Sequence, residues 1–342
     1  MLVVLHLDAT SQQVEELKAE LATVGYGVHS ITGQERTVVA ATGGPFEDEE
    51  TLAERVRALP FVAQVFQIDK PYRLASREHR QEPTIIRVGD VAIGEGCPVV
   101  VMAGPCTVEN RELLLGTARA VKAAGATVLR GGAYKPSTSP YGFPGMGLDG
   151  LKLLDEARAE TGLPIITEVM DPRAVELVAQ YADILQIGTR NMQNYDLLRE
   201  VGRCNTPVCL KRGMSSKIEE WLQAAEYVLL GGNPQVILCE RGVRTFETFT
   251  RNMLDVAAVP AIRELSHLPV IIDPSQASGR ASLVPSLCLA GVAAGADGLL
   301  IEVHPEPQRA LKDGPQQVTP PVFSQLMRSL KPIADALERG LA

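Results

Sequence analysis

The chain has 342 residues, 45% of them hydrophobic and 22% charged, with a formal net charge of −8. That length suits one large domain and one small one, because single cores stop growing near ~250–300 residues, and the acidic balance argues against a polyanion-binding surface, so nucleic acid is not an expected partner. No apolar run approaches the ~20 residues that span a bilayer, MLVVLHLDAT opens without a basic leader, and the six cysteines lack CxxC spacing, which together predict a cytoplasmic protein with reduced thiols and no membrane partner.

In chain order, LVVLHL reads as a strand and SQQVEELKAELATVG as an amphipathic helix opened by Ser11 and closed by Gly25. GVHSIT and RTVVAAT follow as strands, DEETLAERVRALP as a helix and VAQVFQI as a closing strand. The order β-α-β-β-α-β over residues 1–70 is the ferredoxin-like arrangement. Residues 71–83, PYRLASREHRQEP, preceded by Lys70, are charged and weakly periodic and read as a linker; TIIRVGDVAIGEG reads as a hairpin turning at Gly89-Asp90.

From residue 99, eight short apolar runs recur between helical segments: VVVMAG, TVLRGG, PIITEV, ILQIGT, VCLKRG, VILCERG, VIIDPS and GLLIEVHP. Runs apolar on both faces, separated by helices such as ENRELLLGTARAVKAAG and SKIEEWLQAAEYVLLGG, describe a parallel sheet covered on both sides. Eight such repeats predict a closed (β/α)8 TIM barrel over residues 84–342, and no strand is followed by the GxGxxG turn of an open dinucleotide-binding sheet.

In such a barrel the carboxyl ends of the strands form the active site, and nearly every predicted strand here ends in an ionisable group. In order they deliver Cys106, Arg130 with Lys135, Glu168, Arg190, Lys211 with Arg212, Glu240 with Arg241, Asp273 with Gln276, and Glu302 with His304. A rim with only a structural role gains nothing from focused charge, since mutual desolvation is costly without a ligand. Arg130, Lys135, Arg190, Lys211 and Arg241 suit an anion carrying phosphate or carboxylate. Cys106, Glu302, Asp313 and His304 carry ligand types for a divalent transition metal, although by spacing alone a strand-end Cys serves equally in packing and Glu302 equally as a general base or salt-bridge partner.

The stretches GPCTVEN, LRGGAYKPSTSPYGFPG, QIGTRNMQN, LKRGM, ILCERGVRTFE, IIDPSQ and IEVHPEPQRALKDGPQQ, in this order, resemble the 3-deoxy-D-arabino-heptulosonate 7-phosphate (DAHP) synthase family, in the class with an N-terminal ferredoxin-like regulatory domain. The resemblance implies condensation of phosphoenolpyruvate with erythrose 4-phosphate, a phosphorylated aldose, in the first step of the shikimate pathway of aromatic amino acid biosynthesis. It places Arg130, Lys135, Arg190, Lys211 and Arg241 in the phosphoenolpyruvate cradle and Cys106, Glu302, Asp313 and Gln276 at the ligand positions of a divalent cation of Mn, Fe, Co or Zn type. Lys135 and Glu168 become the candidates for moving protons and positioning water, and Thr138 a hydroxyl donor to substrate. An aromatic amino acid effector at the N-terminal domain and a homo-oligomer, dimer or tetramer, are also implied.

Two departures touch the chemistry. The family has His where this chain has Gln276, and an amide oxygen is a poorer ligand than imidazole for zinc-like ions, though acceptable to manganese or magnesium. His304 lies two residues beyond Glu302, so as a strand residue it faces the same way; the readings open to it are compensation for the missing imidazole and plain hydrogen bonding. The family also reads KPRTS where this chain has KPSTS, so Ser137 removes a guanidinium grip on sugar phosphate worth about 1.5–3 kcal/mol, and Pro144 replaces the motif's Gln. These changes keep two alternatives in view: a synthase using another sugar phosphate, of the 3-deoxy-octulosonate 8-phosphate type, and a catalytically weakened regulatory paralogue.

Overall fold

The computed structural model describes residues 1–32, 37–42, 49–66, 71–136 and 140–342. They fall into two compact units, Met1–Pro71 and Tyr72–Ala342.

In the first unit, strands β1 (Leu2–Leu5), β2 (Gly27–Thr32), β3 (Thr37–Thr42) and β4 (Val62–Phe66) form an antiparallel sheet in the order β2-β3-β1-β4. Helices Ser11–Thr23 and Glu49–Arg57 complete the ferredoxin-like pattern. Their apolar faces, Leu17 and Leu21 from one and Leu52, Ala53 and Val56 from the other, meet Val3, Leu5 and Val39 of the sheet in one small core. The first helix is opened by Thr10 rather than Ser11. Thr10 Oγ1 accepts from the Gln13 backbone N–H and Gln13 Oε1 accepts from that of Thr10, so the reciprocal capping box selects Thr10.

In the second unit a short hairpin of β5 (Ile86–Val88) and β6 (Val91–Ile93) precedes the barrel, turning at Gly89, whose φ of +57° suits a residue without Cβ. The barrel strands are β7 (Val100–Gly104), β8 (Val128–Arg130), β9 (Ile165–Val169), β10 (Ile184–Ile187), β11 (Val208–Lys211), β12 (Val236–Glu240), β13 (Val270–Ile272) and β14 (Gly298–Glu302). All pair in parallel, and β14 closes on β7 with Leu300 opposite Met102 and Glu302 opposite Gly104. The eight-strand barrel predicted from the apolar runs is therefore present.

Strand pleat explains how one set of sequences builds two environments. Val101, Leu129, Ile165, Leu185, Leu210, Leu238, Ile272 and Leu299 face the surrounding helices and join the largest core. Their neighbours Val100, Met102, Val128, Ile166, Ile184, Cys209, Ile237, Cys239, Ile271 and Leu300 face inward and pack with Ile86, Val88 and Ile93 of the hairpin, which thus floors the barrel. Two residues further along seven of the eight strands the inward position turns polar, as Arg130, Glu168, Gln186, Lys211, Arg241, Asp273 and Glu302, and on β7 it is Gly104.

The stretch expected to be a linker is tied down over most of its length. Tyr72 and Ala75 are buried in the barrel unit's core. Glu226 accepts the backbone N–H groups of Leu74 at 2.8 Å and Ala75 at 2.9 Å, and the Arg77 N–H donates to the Leu265 carbonyl. Just beyond, His267 joins Thr84 Oγ1 to the Leu74 carbonyl, each at 2.7 Å. Charge and poor periodicity hid this, because the partners lie more than 140 residues away in sequence. Among the described residues no helix is long and apolar enough to cross a membrane.

Candidate active site

At the carboxyl end of the barrel lies a cavity of about 230 Å³. Among the described residues its lining carries six cations (Lys135, Arg190, Lys211, Arg241, Arg251 and Lys312) against two carboxylates (Glu168 and Asp313), a local reversal of the chain's net acidity. Such a concentration of positive charge with low-dielectric walls draws small anions.

Lys211 and Arg241 are both nearly buried and arrive from neighbouring strands. Lys211 Nζ is paired with Asp273 Oδ2 at 2.5 Å. Arg241 is less well compensated: Nη2 donates to the backbone carbonyl of Gln276 at 3.2 Å, while Nε and Nη1 are buried without a hydrogen-bond partner among the described residues. Burial, with the like charge of Arg251 nearby, draws its pKa below the usual arginine range despite Asp273 and Glu240. A buried guanidinium in this condition has the hydrogen-bonding capacity to take up an anion.

Opposite these cations, Glu168 is 4% exposed; its Oε2 accepts from Gln186 Nε2 at 3.3 Å and its Oε1 has no hydrogen-bond partner among the described residues. The neighbouring chain makes room for it. A Cβ on Gly188 would lie 2.0 Å from Glu168 Oε1, so any other residue there displaces the carboxylate.

Beside the cavity, donor atoms of Cys106, Glu302 and Asp313 all lie within 4.8 Å of one another. Glu302 is fully buried, which by itself raises a carboxyl pKa. Arg130 and Lys135, with the amides of Gln316 and Gln276, more than reverse this and hold it at about 2. Arg130 Nη1 sits 3.2 Å from Glu302 Oε1, and Gln316 Nε2 donates to Oε2 at 2.6 Å. Burial, then the charge of Glu302, pushes the Cys106 thiol well above its ordinary pKa, and the thiol donates to Asp313 Oδ2 at 3.3 Å. Asp313 itself has φ +50°, a left-handed backbone that non-glycine residues adopt at some cost. A thiol and two carboxylates converging in a buried pocket are a donor set that fits a divalent cation.

The expected residues separate once placed. Lys135, Arg190, Lys211, Arg241 and Glu168 line the cavity, together with Gln276 and Asp313. Arg130 lies behind it, donating to the Pro105 carbonyl at 2.6 Å. Arg212 and Glu240 turn the other way and pair with each other at 3.0 Å, because they are one residue out of phase with Lys211 and Arg241. His304 accepts the Glu306 N–H through Nδ1 at 3.0 Å, its Nε2 lies 3.7 Å from Glu109 Oε2, and it is not one of the three clustered donors. Thr138 and Ser137 fall outside the described residues. Gln186, Arg251 and Lys312 were missed. Gln186 was detectable as the one polar residue within ILQI, at an inward position of the pleat; Arg251 and Lys312 lie in loops that carry no periodic signal.

A model of the DAHP synthetase I family matches residues 69–339, and one of the DAHP synthase ferredoxin-like domain matches residues 1–70. Phospho-2-dehydro-3-deoxyheptonate aldolase of Thermotoga maritima is 47% identical over 337 residues, covering 98% of each chain. A 2-dehydro-3-deoxyphosphooctonate aldolase of Syntrophotalea carbinolica is 34% identical over 278 residues, 75% of this chain and 98% of its own. The crystal structure of the DAHP synthase from Thermotoga maritima superposes with a TM-score of 0.87 at 45% identity, covering 100% of this chain and 99% of that one.

Proposed function

The chain belongs to the DAHP synthetase I family, and from that premise we propose that it joins phosphoenolpyruvate to erythrose 4-phosphate with release of phosphate, the entry reaction of the shikimate pathway. Full-length similarity at 47% to the heptonate enzyme, against 34% over 75% of the chain for the octonate enzyme, favours this over the five-carbon sugar alternative.

The observation that carries the substrate reading is Arg241, a buried guanidinium with two nitrogens unpartnered among the described residues, in a cavity lined by cations. Phosphoenolpyruvate supplies both a phosphate and a carboxylate to satisfy it. In our reading Arg241, Lys211, Arg190 and Lys135 hold these groups and present C3 of the enol to the aldehyde, with Arg130 bracing the cradle from behind through Glu302. C3 forms the new bond to the aldehyde carbon while the aldehyde oxygen takes up a proton. Water then adds at C2, and phosphate leaves from the resulting hemiketal phosphate by C–O cleavage. Glu168, which lines the cavity, is our candidate for orienting that water, and Lys135 for donating a proton.

Cys106, Glu302 and Asp313 would hold a divalent cation, with Gln276 at the fourth corner; when bound it supplies Lewis-acid polarisation of the aldehyde oxygen. An oxygen-rich set with an amide in place of imidazole supports a harder ion such as manganese. For the N-terminal unit we propose aromatic amino acid sensing, supported by its match to the ferredoxin-like domain of this family. A homodimer or homotetramer in the cytoplasm completes the reading, the free thiols suiting a reducing compartment.

The test is consumption of phosphoenolpyruvate with four- and five-carbon sugar phosphates across a panel of divalent metals. Turnover with erythrose 4-phosphate is expected. Turnover with only the five-carbon sugar, or none with any combination, overturns the assignment. Added Tyr or Phe should inhibit the full chain, and indifference to both removes the sensing role.

A further inference from the structure

Gln276 stands between two groups of opposite charge. Its Nε2 donates to Glu302 Oε1 at 2.8 Å and approaches Asp313 Oδ2 at 3.4 Å, while its Oε1 accepts from Arg241 Nη2 and Arg251 Nη1, each at 3.4 Å. The residue is 7% exposed and its backbone is pinned: the N–H donates to Asp273 Oδ1 at 2.9 Å, and the carbonyl accepts from Arg241 Nη2 and Asn252 Nδ2. What remains free is rotation of the terminal amide, a broad and nearly two-fold torsion.

The amide dipole lies along the local field, its hydrogens toward the carboxylates and its oxygen toward the guanidiniums. Were Cys106, Glu302 and Asp313 to hold a divalent cation, that preference would reverse on one side, because an amide NH2 has no lone pair to offer and only Oε1 could ligate. A half-turn directs Oε1 into the cluster and swings Nε2 toward Arg241 and Arg251. Donor then faces donor, an arrangement satisfied only when an anion sits between them and accepts from both.

We infer that Gln276 is a coupling residue that makes cation binding and anion binding at this site mutually dependent through reversal of its amide. Cation occupancy turns the amide and gives the anion one donor more; anion occupancy stabilises the turned amide and so tightens the cation. Linkage requires the two effects to be equal. The inference rests on the reading of the cavity as a phosphoenolpyruvate site, and it assigns to Gln276 a role beyond that of a weak fourth ligand.

The experiment is calorimetric titration of phosphoenolpyruvate into the full chain with and without Mn²⁺, repeated for Gln276→Leu, which removes both ends of the amide, and Gln276→His, which keeps a cation ligand. The measured quantity is the ratio of phosphoenolpyruvate dissociation constants without and with Mn²⁺. Attraction between opposite charges contributes to this ratio in all three proteins, so the amide's part is the excess in the native chain. That excess should be at least about 5-fold, the lower end of ordinary allosteric coupling, and the reverse titration of Mn²⁺ with and without phosphoenolpyruvate should return the same ratio. Equal ratios in the native chain and the two variants overturn the inference while leaving the substrate site standing. No uptake of phosphoenolpyruvate by the native chain in either condition takes down the underlying reading, and the inference with it.

Discussion

The two ends of the barrel interior are made by the same strands and obey opposite rules. At the floor, Ile86, Val88 and Ile93 of the hairpin meet Val100, Met102, Val128 and their neighbours, and every group gains by leaving water. At the mouth, Arg130, Glu168, Lys211, Arg241, Asp273 and Glu302 are buried to a similar degree although each loses hydration, and among the described residues their pairing is incomplete at Arg130 Nε, Arg241 and Glu168. The difference teaches where stability and ligand binding are stored: the floor holds the barrel shut, and the mouth keeps unsatisfied polar atoms in place for something else to satisfy.

That division can be broken from either end. The largest expected effect is at the floor, where Ile93→Ala removes a fully buried side chain and should cost about 2–5 kcal/mol of unfolding free energy in a denaturant titration, while the folded fraction keeps its phosphoenolpyruvate affinity. At the mouth the pattern should invert. Arg241→Met should weaken phosphoenolpyruvate binding by about 1.5–3 kcal/mol in calorimetry, with no loss of melting temperature, since an under-compensated buried cation has gone. A fall in melting temperature with unchanged binding would place Arg241 with the floor instead.

Smaller effects test the segment joined to the barrel wall. Glu226→Gln replaces one of the two acceptors that hold the Leu74 and Ala75 N–H groups and should cost about 1–2 kcal/mol in chemical denaturation. The smallest concerns pH. Burial, with Arg80, His79 and Arg77 nearby, draws the His267 pKa below its usual 6.5 against the pull of the Leu74 carbonyl. The folded chain therefore binds fewer protons than the unfolded chain just below that value, and stability, fully present above it, declines as pH falls toward the folded pKa. Urea midpoints measured from neutral pH downward should show this slope, and His267→Gln should flatten it.

The barrel and the ferredoxin-like unit were legible because each rests on short-range pattern: apolar runs of strand length, helices between them, and a turn at Gly89. The charged rim was legible for the same reason, since a polar residue that ends an apolar run is visible to any reader of the chain. The facing of each charge was harder. Lys211 and Arg212 are adjacent and alike in sequence, yet one lines the cavity and the other pairs with Glu240, a choice set by phase along a pleated strand.

By itself, then, the sequence determined the fold class, the number of barrel strands and the stock of ionisable groups at their carboxyl ends, because these follow from periodicity and composition within a few residues. Tertiary structure alone decided three further things: that residues 72–83 belong to the barrel wall, that Arg251 and Lys312 reach the cavity from distant loops, and that the Gln276 amide lies between carboxylates and guanidiniums. Each depends on partners brought together by barrel closure, and local pattern carries no record of which distant group will arrive beside which.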